Sequence, residues 1–266
     1  MKLTSLICGA CLAALLSPAF AQPPNFQTEM VADAKPGDVR VFVTRAIDAP
    51  LKSIKEQAEK AIGKHILFEY GSARGNLKDE ILKGTGDFEL AMLLPDVDET
   101  LLAAGKIKPG AYEIARVPIA FGVRGDSSAV DLSTPEAVKK TLLGATSVKY
   151  ASTGAALLTV KKVLGDLQIA DKVKDYSKTD DEVKLTGKQY EIDIYPLSEI
   201  LQRKDLKNMG PVIDELQVPS IIEATVGANT RDEASARALI KFLQGPAINP
   251  GLKDAGMVKG KIVASK

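Results

Sequence analysis

The chain has no tryptophan, one histidine and two cysteines. Both cysteines, Cys8 and Cys11, fall in the first twenty-one residues, which read as an export signal. Lys2 supplies the positive start, Leu3 to Leu16 the apolar run, and Ala19-Phe20-Ala21 a small-x-small cleavage site. The apolar run is too short to span a bilayer comfortably, so no stable membrane insertion is expected after cleavage. Neither cysteine follows the Leu-Ala-Gly-like triplet that lipid attachment requires. Cleavage after Ala21 leaves 245 residues without a cysteine and places the protein in the periplasm. Disulfides, thiolate nucleophiles and cysteine-ligated metals are thereby excluded. Net charge is lacking too: without Lys2, 34 basic residues face 34 acidic ones. That balance argues against a nucleic-acid groove or a polybasic membrane surface. No His/Asp/Glu cluster has metal-ligand spacing, and neither a phosphate-cradling loop nor a Ser-His-Asp arrangement occurs, so no metal or cofactor is expected. The lone His65 opens a strand pattern beside Lys64, a surface position rather than an acid–base one.

What is present is an alternation of strand and helix patterns. Beyond a linker-like Gln22 to Gly37, Asp38 to Val43 alternates apolar residues and is rich in β-branched ones, as a strand requires. Ala49 to Ile62 carries Leu51, Ile54, Ala58, Ala61 and Ile62 on one helical face. Strands at Ile66 to Tyr70 and Glu89 to Leu94 and helices at Asn76 to Lys83 and Asp98 to Ala104 follow. Alternation of this kind predicts a parallel sheet flanked by helices. After Ile114 to Val123, an apolar stretch long enough to cross between domains, a second unit repeats the theme. It has helices at Thr134 to Leu143 and Ala155 to Gly165 and strands at Ser147 to Ala151 and Tyr190 to Tyr195. Ile221 to Ala228 reads as a strand leading back, and Thr230 to Phe242 as a helix. The fold expected is α/β, in two lobes with a cleft between them. Lobe 1 is discontinuous, from 38–118 and 224–266, and lobe 2 is 119–223.

Two strand-to-helix turns carry an arginine, at Thr44-Arg45-Ala46 and Gly71-Ser72-Ala73-Arg74-Gly75. Free backbone N–H groups and the positive end of the helix dipole favour an anion at such turns. A guanidinium adds a planar five-donor fork matched to a carboxylate. The site expected is therefore a pocket for a small molecule with more than one carboxylate.

Several segments resemble the molybdate-binding periplasmic proteins, a branch of the type II solute-binding fold. They are Gly71 to Leu77, Gly86 to Ala91, Ala115 to Ala120, Ser152-Thr153-Gly154 before a helix, and Ala236 to Met257. The resemblance implies two α/β domains joined by a hinge, with a ligand clamped between them. Sites in that family are lined by hydroxyls and backbone N–H groups, whereas this chain has Arg45 in the first ligand loop and Ser-Ala-Arg-Gly in the second. On the same scaffold the chain is similar to the periplasmic aconitate isomerases. This resemblance implies interconversion of cis- and trans-aconitate by an allylic proton shift, without a metal. The alternative is a non-catalytic receptor handing a polycarboxylate or a molybdate-like oxyanion to the membrane subunits of an ABC importer.

Arg74, a cation set against its own helix dipole, calls for a partner anion, and Arg45 does so more weakly because Asp48 is in reach. Arg116 is either a ligand contact or an inter-domain ion pair. Ser72, Ser152 and Thr153 could donate hydroxyls to a carboxylate, though Ser and Thr also cap helices without a ligand. Tyr70 and Tyr195 end strands at the ligand side and are the candidate proton carriers for catalysis, with Lys149 and Glu69 as further options; each tyrosine could equally be core or hinge packing.

Overall fold

The computed structural model describes residues 36–84, 87–173 and 185–261. The export signal and all but the last two residues of the Gln22 to Gly37 linker lie outside them. The chain enters a first sheet through β1 (Val39–Thr44), β2 (Ile66–Gly71), β3 (Leu90–Leu93) and β4 (Ile107–Val117). It then builds a second from β5 (Ile119–Gly125), β6 (Ser147–Lys149), β7 (Tyr190–Pro196) and β8 (Lys207–Pro211). Finally it returns to the first with β9 (Ser220–Gly227) and β10 (Val258–Lys259). The spatial orders are β10-β4-β9-β3-β1-β2 and β6-β7-β5-β8.

Neither sheet is purely parallel. β1 runs parallel to β2 and β3, and β6 to β7. β9 enters between β3 and β4 and runs against both, because it comes back from the second sheet rather than through a crossover helix. β5 is antiparallel to β7 and β8. The apolar stretch Ile114 to Val123 is thus the end of one strand and the start of another in a different sheet, parted at Pro118. Proline donates no ladder hydrogen bond and suits such a break.

Each sheet has its own apolar core. Phe42, Phe68, Leu90 and Leu93 lie in the first, and Phe121, Ile192, Ile194 and Val160 in the second. Helix α1 (Asp48–Ile62) buries Leu51, Ile54 and Ala58 against the first sheet and ends at Gly63, which takes the left-handed conformation (φ 69°) that closes a helix without Cβ strain. Short α2 (Lys78–Lys83) and α3 (Pro95–Ala103) follow β2 and β3. In the second unit α4 (Pro135–Gly144) is capped by Thr134 Oγ1, which accepts from the Ala137 N–H at 3.1 Å, and α5 (Leu157–Asp166) packs Val160 and Val163 inward. α6 (Leu197–Ile200) is a single turn after β7, and α7 (Glu233–Leu243) and α8 (Asn249–Asp254) close the first unit. No helix among the described residues is long and apolar enough to cross a membrane.

Candidate functional site

A cleft of about 390 Å³ opens where the two sheets meet. The first sheet contributes Thr44 and Arg45 from the end of β1, Asp48 from the start of α1, and Gly71 and Ser72 from the end of β2. The second contributes the Ala151 to Ala156 connection, Tyr195 at the end of β7, and Glu199, Gln202 and Arg203 on and just after α6. The strands that reach the cleft end there, the usual place for a ligand in open α/β sheets.

Of the residues singled out from sequence, Arg45, Ser72 and Tyr195 line this cleft. The others stand elsewhere. Tyr70 is buried, its ring 5.9 Å from that of Phe68 and under the Lys52 ammonium at 5.3 Å. Arg74 does meet a carboxylate, but one of the protein's own: Nε and Nη2 donate to Asp96 at 2.7 and 2.9 Å. Asp96 sits in the first turn of α3, where its negative charge also suits the helix dipole. Arg116 forks onto Glu113 at 2.6 and 2.7 Å on β4, opposite Val258 of β10, away from the cleft lining. Ser152 is exposed. Lys149 reaches the buried Glu191, and Glu69 pairs with Arg40.

Thr153 serves a different purpose. Ser72 Oγ donates to the Thr153 carbonyl at 2.7 Å and lies 2.8 Å from Thr153 Oγ1. The Arg74 N–H donates to the same carbonyl at 3.1 Å, and Arg74 Nη1 to the Gly154 carbonyl at 2.7 Å. The loop after β2 is therefore clasped to the loop after β6. A Cβ on Gly75 would stand 2.9 Å from Thr153 Oγ1, so the approach depends on a residue without a side chain there.

The groups that the sequence reading missed are acidic and basic residues around α6. The Arg203 fork is set by Asp205, which accepts from Nε and Nη2 at 2.9 and 2.7 Å, and by Asp193 at 3.5 Å. The Arg203 hydrogen bond holds the Asp205 carboxyl down at about 2. Burial pushes Asp193 up to about 6, against Arg203, Arg124 and Lys149. Glu199 is pushed up to about 7, by burial first; Arg45 and Arg203 oppose the shift and Asp48 adds to it. A carboxyl that titrates near neutrality inside a cleft is a candidate for ligand or proton chemistry. The signal that could have found it lies in the sequence: Tyr195-Pro196 ends a strand on the ligand side, and the next turn carries Glu199 and Arg203 four residues apart. Among the described residues no group of three or more His, Cys, Asp or Glu could hold a metal ion.

The sequence model of a family described as "Bacterial extracellular solute-binding protein" matches residues 39–258. A comparison with curated protein sequences finds no match. Among solved structures, the chain is similar to the periplasmic molybdate-binding protein of Azotobacter vinelandii at 16% identity and TM-score 0.61, over 83% of this chain and 98% of that one. It is also similar to a periplasmic thiamin-binding protein at 13% identity and TM-score 0.63, over 85% and 84%. Peb3 from Campylobacter jejuni is 10% identical with TM-score 0.59, over 83% and 99%. At these identities the likeness shows the fold, a two-sheet α/β architecture with a cleft, and not the solute.

Proposed function

The chain belongs to the bacterial extracellular solute-binding protein family, and we propose that its cleft takes a small organic anion with two or more carboxylates. In this reading the two sheets are the cores of two lobes that close over the solute, and the loaded protein docks on the membrane subunits of an ABC importer. The observation that carries the ligand class is the pair of guanidinium groups on opposite walls, Arg45 from the first sheet and Arg203 from the second. Asp205 holds the Nε–Nη2 edge of Arg203, which therefore meets the cleft as a positioned charge, and cations from both sheets suit carboxylates at two ends of a molecule better than one compact tetrahedral oxyanion. The cavity volume, about 390 Å³, is also that of a small-organic-molecule site. The scaffold hosts more than one kind of anion: the Azotobacter vinelandii protein is named for molybdate, and Peb3 has been seen bound to L-phospholactate, which bears one carboxylate and one phosphate. Calorimetric titration of the exported protein with citrate, trans-aconitate and molybdate tests the reading. Heats of binding with the carboxylates and none with molybdate are expected; the reverse pattern refutes it.

A second reading adds chemistry to the same cleft, aconitate isomerisation, and one observation favours it. Tyr195 and Glu199 both line the cleft, and a carboxyl pushed up to about 7 is matched to proton transfer near neutral pH. A base there would take a methylene proton of aconitate. The C–H electron pair would become the new double bond as the old one shifts to the adjacent carboxylate-stabilised carbanion. Return of the proton at the far carbon would complete the shift with no net change in composition. Arg45 and Arg203 would hold the charge that develops. Proton NMR with cis-aconitate in D₂O decides it: trans-aconitate forms if the reading is right, and binding without conversion leaves the receptor alone.

A further inference from the structure

Resting on the carboxylate-binding reading, we infer that Glu199 is a specificity-determining residue that enters the complex protonated, so that an organic anion is bound together with a proton. The argument starts from the charges that face this carboxyl. Arg45 comes from the turn after β1, Asp48 from α1, and Arg203 from just beyond α6. Behind them, Lys52 of α1 pairs with Asp48 at 2.9 Å, and Asp193 of β7 and Asp205 hold Arg203. Tyr195 of β7 completes the wall.

With Glu199 ionised, the lining carries two positive and two negative side chains and has no net attraction for an anion. An incoming carboxylate would also meet a carboxylate of like charge in a site being emptied of water. With Glu199 protonated, the lining is net positive by one, and the acid gains an O–H to donate to the ligand. Binding an anion and excluding water both favour the neutral acid. Burial already holds the Glu199 proton up to about 7 in spite of the two arginines, so little further bias is needed. A solute carrying an amine would do the opposite: it would pair with ionised Glu199 and expel the proton.

Calorimetry of trans-aconitate binding at pH 7.5, in two buffers of different ionisation enthalpy, reads the proton directly. Uptake of between about one half and one proton per ligand is expected, with affinity falling by up to about tenfold per pH unit from pH 7.5 to 8.5. Glu199→Gln, which keeps a donor but cannot titrate, should abolish the uptake and flatten the pH profile. Binding without uptake, uptake that survives in Glu199→Gln, or proton release overturns the inference while leaving a ligand-binding cleft. No binding of trans-aconitate or citrate overturns the ligand class and the inference with it. A ligand-independent check uses carbon NMR of protein labelled at the glutamate carboxyls. A resonance that titrates near neutrality and vanishes in Glu199→Gln supports the assignment, and its absence overturns it.

Discussion

Replacing Asp98 by asparagine should make the protein more stable, and the size of the gain follows from where the residue sits. Asp98 is on the inner face of α3, 5% exposed, and neither carboxyl oxygen has a hydrogen-bond partner among the described residues. Burial raises its pKa first, Glu223 on β9 and Asp96 add to it, and the group is pushed from 3.8 to about 8. Between those values the folded protein holds a proton that the unfolded chain has lost. The unfolded state therefore binds fewer protons, and stability falls as pH rises across the window. The contribution is fully present below about pH 4 and is gone above about pH 8. Each pH unit above 3.8 costs about 1.4 kcal/mol, so the cost near pH 7 is about 4 kcal/mol. Asparagine keeps the shape and carries no charge at any pH. Asp98→Asn should gain about 2–4 kcal/mol at pH 7, a rise in Tm of roughly 5–15 °C for a chain of this size. Urea unfolding of wild type and variant at pH 4.5, 6 and 7.5 tests this, since the difference between the two curves isolates Asp98 from the other titrating groups. The gain should grow with pH. A variant no more stable than wild type at pH 7.5, or a difference independent of pH, refutes the reasoning.

Three further outcomes are expected. Arg45→Ala should weaken carboxylate binding by about 2–5 kcal/mol, the loss typical of a desolvated charge partner, and calorimetry with citrate would show it. Gly75→Ala places a methyl about 2.9 Å from Thr153 Oγ1, closer than ordinary contact, so the two loops must part there. It should weaken binding roughly tenfold, about 1.4 kcal/mol, and small-angle scattering with saturating ligand should give a larger radius of gyration than wild type. Thr134→Ala removes the cap of α4 and should cost about 0.5–2 kcal/mol in urea unfolding without touching the cleft.

The elements that sequence reading finds are those with a clear period. α1 shows its face through Leu51, Ile54 and Ala58, and β1, β2 and β7 through runs of β-branched and aromatic residues. β8 was not readable: Lys207 to Pro211 has exposed or half-exposed residues throughout and pairs only with β5, so no apolar alternation marks it. β4 begins at Ile107 and tolerates Pro109 and Gly110, two breakers that argue for a loop, because it is irregularly paired there with β9. The sequence pattern predicts a helix from Asn76, but Ala73 to Leu77 forms a wider turn first. The site follows the same logic. Arg45, Ser72 and Tyr195 are visible because a residue at a strand's carboxyl end is placed by topology alone. Glu199 and Arg203 depend on one extra turn after Pro196, and the charge on Glu199 depends on burial that no local pattern encodes. Arg74 illustrates the limit of a charge argument: a cation set against a helix dipole needs an anion, and sequence does not say that Asp96, twenty-two residues on, supplies it.

The clasp between Ser72–Arg74 and Thr153–Gly154 separates two properties of a carrier that are often fused. Its hydrogen bonds run from one protein loop to the other, so on the receptor reading proposed above its strength would bear on how long a closed molecule stays shut. Dwell time and choice of solute can then drift independently. On that reading a change at Thr153 would yield a faster or slower courier for the same freight, with the cleft residues Arg45 and Glu199 untouched. An importer limited by unloading would feel such a change as a shift in tempo alone.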